Sequence, residues 1–211
     1  MSTTYYSSAR REILAFLPPS CQLLLDVGCS EGGFGAAVLA AGRSAEVWGI
    51  EPHAPAASVA GTRLTRVFTT LFGESLDVPD GHFDVVTFND TLEHMVDEYA
   101  ALRLAHRKLK AGGTLVCSVP NVRYIENLKS LLMDADWQYA DSGILDRTHL
   151  RFFTKKSIRR TVEACGFVVQ HVEGINSHWW SGWKIGLLRL LFRKAVEDAR
   201  WLQFVLVARK P

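Results

Sequence analysis

The chain has 211 residues, 48% hydrophobic and 22% charged, with a formal net charge of +2. That ordinary globular balance excludes a disordered or fibrous chain, and the charge is too small to imply nucleic acid by itself. No apolar run reaches the ~18 residues of a membrane span. The length suits one domain with a three-layer core, so 1–211 is expected to fold as a single unit. The opening "MSTTYYSSARREILAFLPPS" has no basic segment followed by a long apolar core, which predicts a cytoplasmic protein rather than a secreted one. Cys21, Cys29, Cys117 and Cys165 form no CxxC pair and read as thiols of a reducing compartment, mostly buried.

In chain order, Arg10 to Leu17 predicts a short amphipathic helix stopped by Pro18-Pro19, within a helical lead over 1–19. "QLLLDVG" is a buried strand, and the small-residue stretch Gly32 to Ala41 is the helix after it. Strands follow at 45–51 and 65–72, separated by a weaker helix in "APAASVAGTRL". A fourth strand covers 82–90. A helix spans Asp97 to Lys110, with Leu102, Ala105 and Leu109 on one face, and "TLVCSVP" is the fifth strand. Alternating strands and helices predict a parallel sheet covered on both faces. The tail breaks that rhythm: a helix at 155–165, then strands at 167–173 and 202–210 with no regular crossover between them. Those two predict an antiparallel pair at the sheet edge.

The stretch "DVGCSEGGFG" at 26–35 joins the first strand to its helix. Strand, glycine turn, helix and a second strand ending in an acid form an arrangement that holds an adenosine ribose. Gly28 permits a sharp turn, and Gly32 or Gly33 a close approach of helix to sheet and ligand. Glu51 stands where a carboxylate accepts from both ribose hydroxyls. Ser30 occupies the place of the glycine that lets a dinucleotide's pyrophosphate come close. S-adenosylmethionine has no phosphate, and its amino-acid end tolerates a serine there. Asp26 is placed to accept from its ammonium group, and the helix N-terminus attracts its carboxylate.

"LLLDVGCSEGGFG", "VWGIEP", "FDVVTFNDTLEHM", "LKAGGTLVCSVPNV" and "QFVLVARKP" together resemble the successive motifs of class I S-adenosylmethionine-dependent methyltransferases. The likeness is to the branch whose fourth strand ends in "LEH" and whose tail carries "DRTHLRFFT". The resemblance implies a Rossmann-like α/β/α sandwich with a seven-stranded sheet in order 3-2-1-4-5-7-6, strand 7 antiparallel. It implies that Gly28, Cys29, Ser30 and Gly32 line the methionine end of the cofactor and that Glu51 holds the ribose. Pro52, Phe72 and Gly73 would border the adenine, and S-adenosylhomocysteine would be the product. Asn89 and Asp90 would contact the methionine part, and Leu92 would pack beside it.

Methyl transfer needs acceptor, methyl and sulfur in line, and a hydroxyl acceptor also needs a base. His94, after strand 4, and His149, in "DRTHLRFF", are the candidate bases; structural hydrogen bonding is the plain alternative for each. A second reading groups Asp90, Glu93, His94 and His149 as ligands of Mg²⁺ or Mn²⁺. That cluster resembles the metal sites of small-RNA 2′-O-methyltransferases and of a ubiquinone-pathway O-methyltransferase. The shorter arm of Asp90 stands against it, and the preferred reading uses no metal.

Segments 121–154 and 174–201 are long enough to shape an acceptor pocket or lid. Tyr124, Trp137, Tyr139 and Arg151 are candidate wall residues in the first, with ordinary packing as the alternative. The second holds Trp179, Trp180 and Trp183 and a partly basic helix, which suits a lid, a dimer contact or, through 183–200, a membrane surface. The sequence therefore predicts an S-adenosylmethionine-dependent enzyme, monomer or homodimer, that methylates a small molecule or glycan on oxygen. Its rivals are an RNA 2′-O-methyltransferase, an NAD-binding oxidoreductase and a non-catalytic cofactor-binding domain.

Overall fold

The computed structural model describes residues 9–74, 76–177 and 193–211. The apolar run of the first strand demands cover on both faces. In β1 (Cys21–Val27), Leu23, Leu25 and Val27 join one core cluster, while Leu24 joins the other. The remaining strands are β2 (Ser44–Ile50), β3 (Arg66–Phe68), β4 (Phe83–Asn89), β5 (Leu109–Pro120), β6 (Val168–Ser177) and β7 (Trp201–Arg209). They form one sheet in the order β3-β2-β1-β4-β5-β7-β6. Every pairing from β3 to β5 is parallel, and β7 runs antiparallel to both β5 and β6. The expected order and the antiparallel edge pair are both present.

The helices are α1 (Gly33–Ala40), α2 (Ala54–Ala60), α3 (Glu98–Lys108), α4 (Ile125–Lys129) and α5 (Lys155–Glu163). Leu102 of α3 and Ile158 of α5 meet the cluster of Leu23, Leu25 and Val27 on one face. Val38 of α1 and Ala60 of α2 meet Leu24, Val47 and Val85 on the other. Local sequence starts the longer helices. Asp97 accepts from the Ala100 N–H at 2.8 Å, and Thr154 and Ser157 form a reciprocal capping box.

Several boundaries differ from expectation, and β6 runs on to Ser177 rather than ending at 173. Within the described part of the lead, Arg11–Phe16 is a tight 3₁₀ turn rather than an α-helix, and it buries Ile13 and Leu17 against the sheet. Strand β3 stops at Phe68 rather than 72, because its partner β2 ends at Ile50 opposite Phe68. Helix α3 stops at Lys108, and β5 starts at Leu109, with a shift in its register against β4 between Phe83 and Val85. Cys29, Cys117 and Cys165 are buried, Cys21 is half-buried, and all four are free thiols. Among the described residues no helix is long and apolar enough to cross a membrane. Trp179, Trp180, Trp183 and the partly basic helix expected through 183–200 lie outside the described residues, apart from a 3₁₀ turn over Arg193–Arg200.

The carboxyl ends of β1, β2, β4 and β5 come out on the same edge of the sheet. Such an edge is where open α/β sheets hold their ligands.

Candidate active site

At the β1 end, the Gly28 and Cys29 N–H groups both donate to the Ile50 carbonyl, at 2.8 and 3.0 Å, which closes the loop onto β2. Gly28 has φ +75°, and a Cβ there would lie 2.6 Å from the Thr91 Oγ1. Thr91 is fixed in turn by donating to the Val27 carbonyl at 3.1 Å. Only glycine satisfies both the turn and this contact. Gly32, at φ +78°, has the Ala60 Cα 3.2 Å from the place of a Cβ. Ser30 adopts φ +51°, a left-handed conformation that costs a non-glycine residue about 1 kcal/mol. Its N–H is held at 2.9 Å by Glu51 Oε2, while Glu51 Oε1 accepts from the His53 N–H at 2.9 Å. The Glu51 carboxylate, 8% exposed, is thereby aimed before any ligand arrives. The Cys29 thiol is buried against Gly49, and burial raises its pKa, so its side chain belongs to the core.

Asp26 is buried and accepts from the Thr87 hydroxyl at 2.7 Å and the Asn89 amide at 3.5 Å. Burial raises its pKa to about 7; the Thr87 and Asn89 hydrogen bonds lower it, and the charge of Glu51 adds to the rise. The Asn89 Oδ1 is buried and has no hydrogen-bond partner. Pro52 is exposed beside this end. Phe72 packs edge-on against Phe88 at 5.7 Å, and nothing lies within 4 Å of where a Gly73 Cβ would be. Leu92 is wholly buried in the core beneath.

Past β4, the turn Leu92–His94 meets the loop before α5. The Glu93 carbonyl accepts from the Leu150 and Arg151 N–H groups at 2.7 and 3.1 Å. The Arg151 guanidinium reaches Glu98 at 2.8 Å and the Val96 carbonyl at 2.5 Å. These bonds bring the rings of His94 and His149 to 4.7 Å, one edge against the other's face. His149 Nδ1 lies 2.9 Å from the Ile144 carbonyl. A carbonyl only accepts, so Nδ1 carries the proton and Nε2 keeps the lone pair. His94 Nδ1 faces the Thr148 carbonyl at 3.3 Å, a longer contact that favours the same tautomer more weakly. Burial holds the His94 pKa low, as does the charge of His149, against the Thr148 carbonyl and Asp146. Glu93 is 1% exposed, neither carboxylate oxygen has a hydrogen-bond partner, and burial lifts its pKa to about 8. Ligand-type atoms of Glu93, His94 and His149 all lie within 4.8 Å of one another.

Asp90 is not in that group, which corrects the four-ligand expectation. Its residue has φ +50°. Its carboxylate pairs with Arg10 and accepts both bonds from the Gln203 amide, at 2.8 and 2.9 Å. The Ser118 hydroxyl adds a longer one at 3.3 Å. Arg10, Ser118 and Gln203 lay outside the sequence reading, because nothing local marks a contact spanning 80 or 113 residues. Phe152 was also missed. It gathers Trp137, Tyr139 and His149 at ring distances of 5.2, 6.4 and 6.4 Å. Tyr124 is buried, and Arg151 serves the loop bonds above.

A Methyltransferase domain family model matches residues 3–172. The chain belongs to the methyltransferase-domain family. It is 30% identical over 132 residues to a ubiquinone biosynthesis O-methyltransferase of Cereibacter sphaeroides, covering 60% of this chain and 52% of the relative. The corresponding enzyme of Aeromonas salmonicida is 29% identical over 163 residues, covering 72% of this chain and 66% of the relative. The chain thus spans about half the length of the first of these relatives. Its fold is that of an S-adenosylmethionine-dependent methyltransferase from Archaeoglobus fulgidus, with TM-score 0.69 at 19% identity over 99% of this chain and 95% of that one. A methyltransferase from Mesorhizobium loti gives 0.67 at 18% identity, over 96% and 98%. A [4+2]-cyclase shares the fold at TM-score 0.64, 20% identity, over 95% and 80%. Chemistry therefore has to be argued from the site.

The family implies S-adenosylmethionine, and the methyltransferase domain has residues that fit it. The unpartnered Asn89 Oδ1 beside the buried Asp26 suits an ammonium donor, and the preset Glu51 suits a ribose diol. Membership of the family also sets aside the oxidoreductase alternative.

Proposed function

We propose that the protein transfers a methyl group from S-adenosylmethionine to a hydroxyl oxygen of a small molecule. When bound, that cofactor supplies a methyl group already activated by its sulfonium. The observation that carries the oxygen acceptor is the histidine pair: both Nδ1 atoms face carbonyls, so each ring offers an Nε2 lone pair just past the β4 end. A hydroxyl must shed its proton as it attacks, and His149, its ring set by the Ile144 carbonyl, takes it. Asp26 and Asn89 orient the amino-acid end and Glu51 the ribose. Phe152, with Trp137 and Tyr139, offers an apolar wall that excludes water. The ubiquinone O-methyltransferase relatives support a small hydroxylated acceptor over RNA or a glycan. The protein would work in the cytoplasm.

The test is a panel of phenols, sugars and short RNAs, following S-adenosylhomocysteine release. Turnover with hydroxylated small molecules, lost when the hydroxyl is masked, is the expected result. Turnover with RNA alone, or binding of the cofactor with none at all, overturns the reading.

The unpartnered carboxylate of Glu93 favours a second reading, in which Glu93, His94 and His149 hold a divalent cation that orients the acceptor oxygen. Activity that survives EDTA supports the histidine base. Loss restored by Mn²⁺ or Mg²⁺ supports the cation.

A further inference from the structure

The two histidines are not held in the same way. His149 rests on a backbone carbonyl, but His94 rests on Thr148 twice: its Nδ1 is 3.3 Å from the carbonyl and 3.2 Å from the hydroxyl Oγ1. A hydroxyl can donate or accept, so by itself it does not choose a tautomer. Asp146 removes the choice. Its Oδ1 accepts from the Thr148 hydroxyl at 2.6 Å and from the Thr148 N–H at 2.8 Å. The one hydroxyl proton is spent on the carboxylate, and Oγ1 turns a lone pair towards His94. Asp146 keeps its charge for this: burial pushes its pKa up, but Thr148's two hydrogen bonds and then the two histidines bring it below the usual carboxylate range.

We propose that Asp146, acting through the Thr148 hydroxyl, is a positioning residue that locks His94 as the Nδ1–H tautomer and keeps Nε2 as its lone-pair atom. Outer-shell partners of this kind commonly set the orientation of a site imidazole. The proposal rests on the reading of His94 as a site residue only for its effect on turnover; the lock itself is a property of the free protein.

The experiment is ¹⁵N NMR of histidine-labelled full-length protein at pH 8 with EDTA, the His94 signals being assigned by their absence from His94→Gln. In the parent protein His94 is expected as Nδ1–H. Asp146→Ala and Thr148→Val should each move the tautomer ratio towards Nε2–H by roughly fivefold, the size of one net hydrogen bond. Asp146→Asn and Thr148→Ser, which keep an acceptor and a hydroxyl, should restore it. Cofactor affinity, read by calorimetry, should stay unchanged in all four and so report folding. An unchanged tautomer in folded Asp146→Ala or Thr148→Val overturns the proposal whatever the activity. A shifted tautomer with unaltered turnover upholds the lock and instead removes His94 from the reaction.

Discussion

The two ends of the crevice are built from different material. At the β1–β2 end, Asp26, Gly28, Ser30 and Glu51 lie within 26 residues, and backbone does most of the arranging: a positive-φ Gly28, a strained Ser30 and N–H groups that aim Glu51. At the β4–β5 end, side chains from residues 10 to 203 converge, and Arg10, Asp90, Ser118 and Gln203 form one network. Three of the five described non-glycine residues with positive φ, Arg10, Asp90 and Asn176, belong to that network, where Asn176 donates to Gln203 at 2.8 Å. Backbone strain kept in place by surrounding bonds is a mark of a working site. The contrast teaches that the first end can be built from a local motif, whereas the second exists only when the sheet is closed.

If the two ends divide binding from chemistry, substitutions should divide too. His149→Ala is expected to lower turnover by about 10²- to 10⁴-fold while S-adenosylhomocysteine binds as before; equal losses in both measurements would erase the distinction. Glu51→Ala should do the reverse. Losing charge-assisted bonds to two hydroxyls should weaken cofactor binding by roughly 10- to 100-fold in calorimetry, with turnover at saturation much less affected.

The next effect is a pH dependence. Burial lifts the Asp26 pKa to about 7 from its ordinary 3.8, so the folded protein holds a proton there that the unfolded chain has released. The folded state binds more protons in that window, so this group's contribution to stability falls as pH rises from about 4 to 7 and is level above. Cofactor binding should run the other way. An ammonium prefers the ionised carboxylate, so affinity should rise by up to tenfold per unit as pH climbs towards 7, with a proton released on binding. Calorimetry in buffers of different ionisation heat reads that proton, and Asp26→Asn should abolish it. The smallest expected effect is Ser30→Gly. Relief of the left-handed serine should stabilise the protein by about 1 kcal/mol, seen as a rise in Tm. A fall would mean that the serine side chain holds the loop.

Much of the fold was legible in the chain. The buried run of β1, the small residues of α1 and the alternation up to β5 are local patterns, and each produced its element. Boundaries failed where a partner decided them: β3 ends because β2 does, and "KAGG" is carried inside β5 as the irregular stretch between the Leu109–Phe83 and Thr114–Val85 pairs. In the site, Gly28, Ser30, Gly32 and Glu51 were legible because turn geometry and the spacing of two adjacent parallel strands fix their relation. The place of His149 beside His94 was expected from motifs alone, and the bonds from Leu150 and Arg151 to the Glu93 carbonyl supply the reason.

The sequence by itself determined which residues turn, which run is buried and which carboxylate ends the second strand beside the glycine turn, since these depend on backbone sterics and short-range spacing. Only the tertiary structure decided that Asp90 belongs to Arg10 and Gln203 rather than to the histidines, and that Glu93 stands buried and unpartnered beside them. The physical reason is that a charged side chain's partner and burial are set by distant strands meeting at one edge of the sheet.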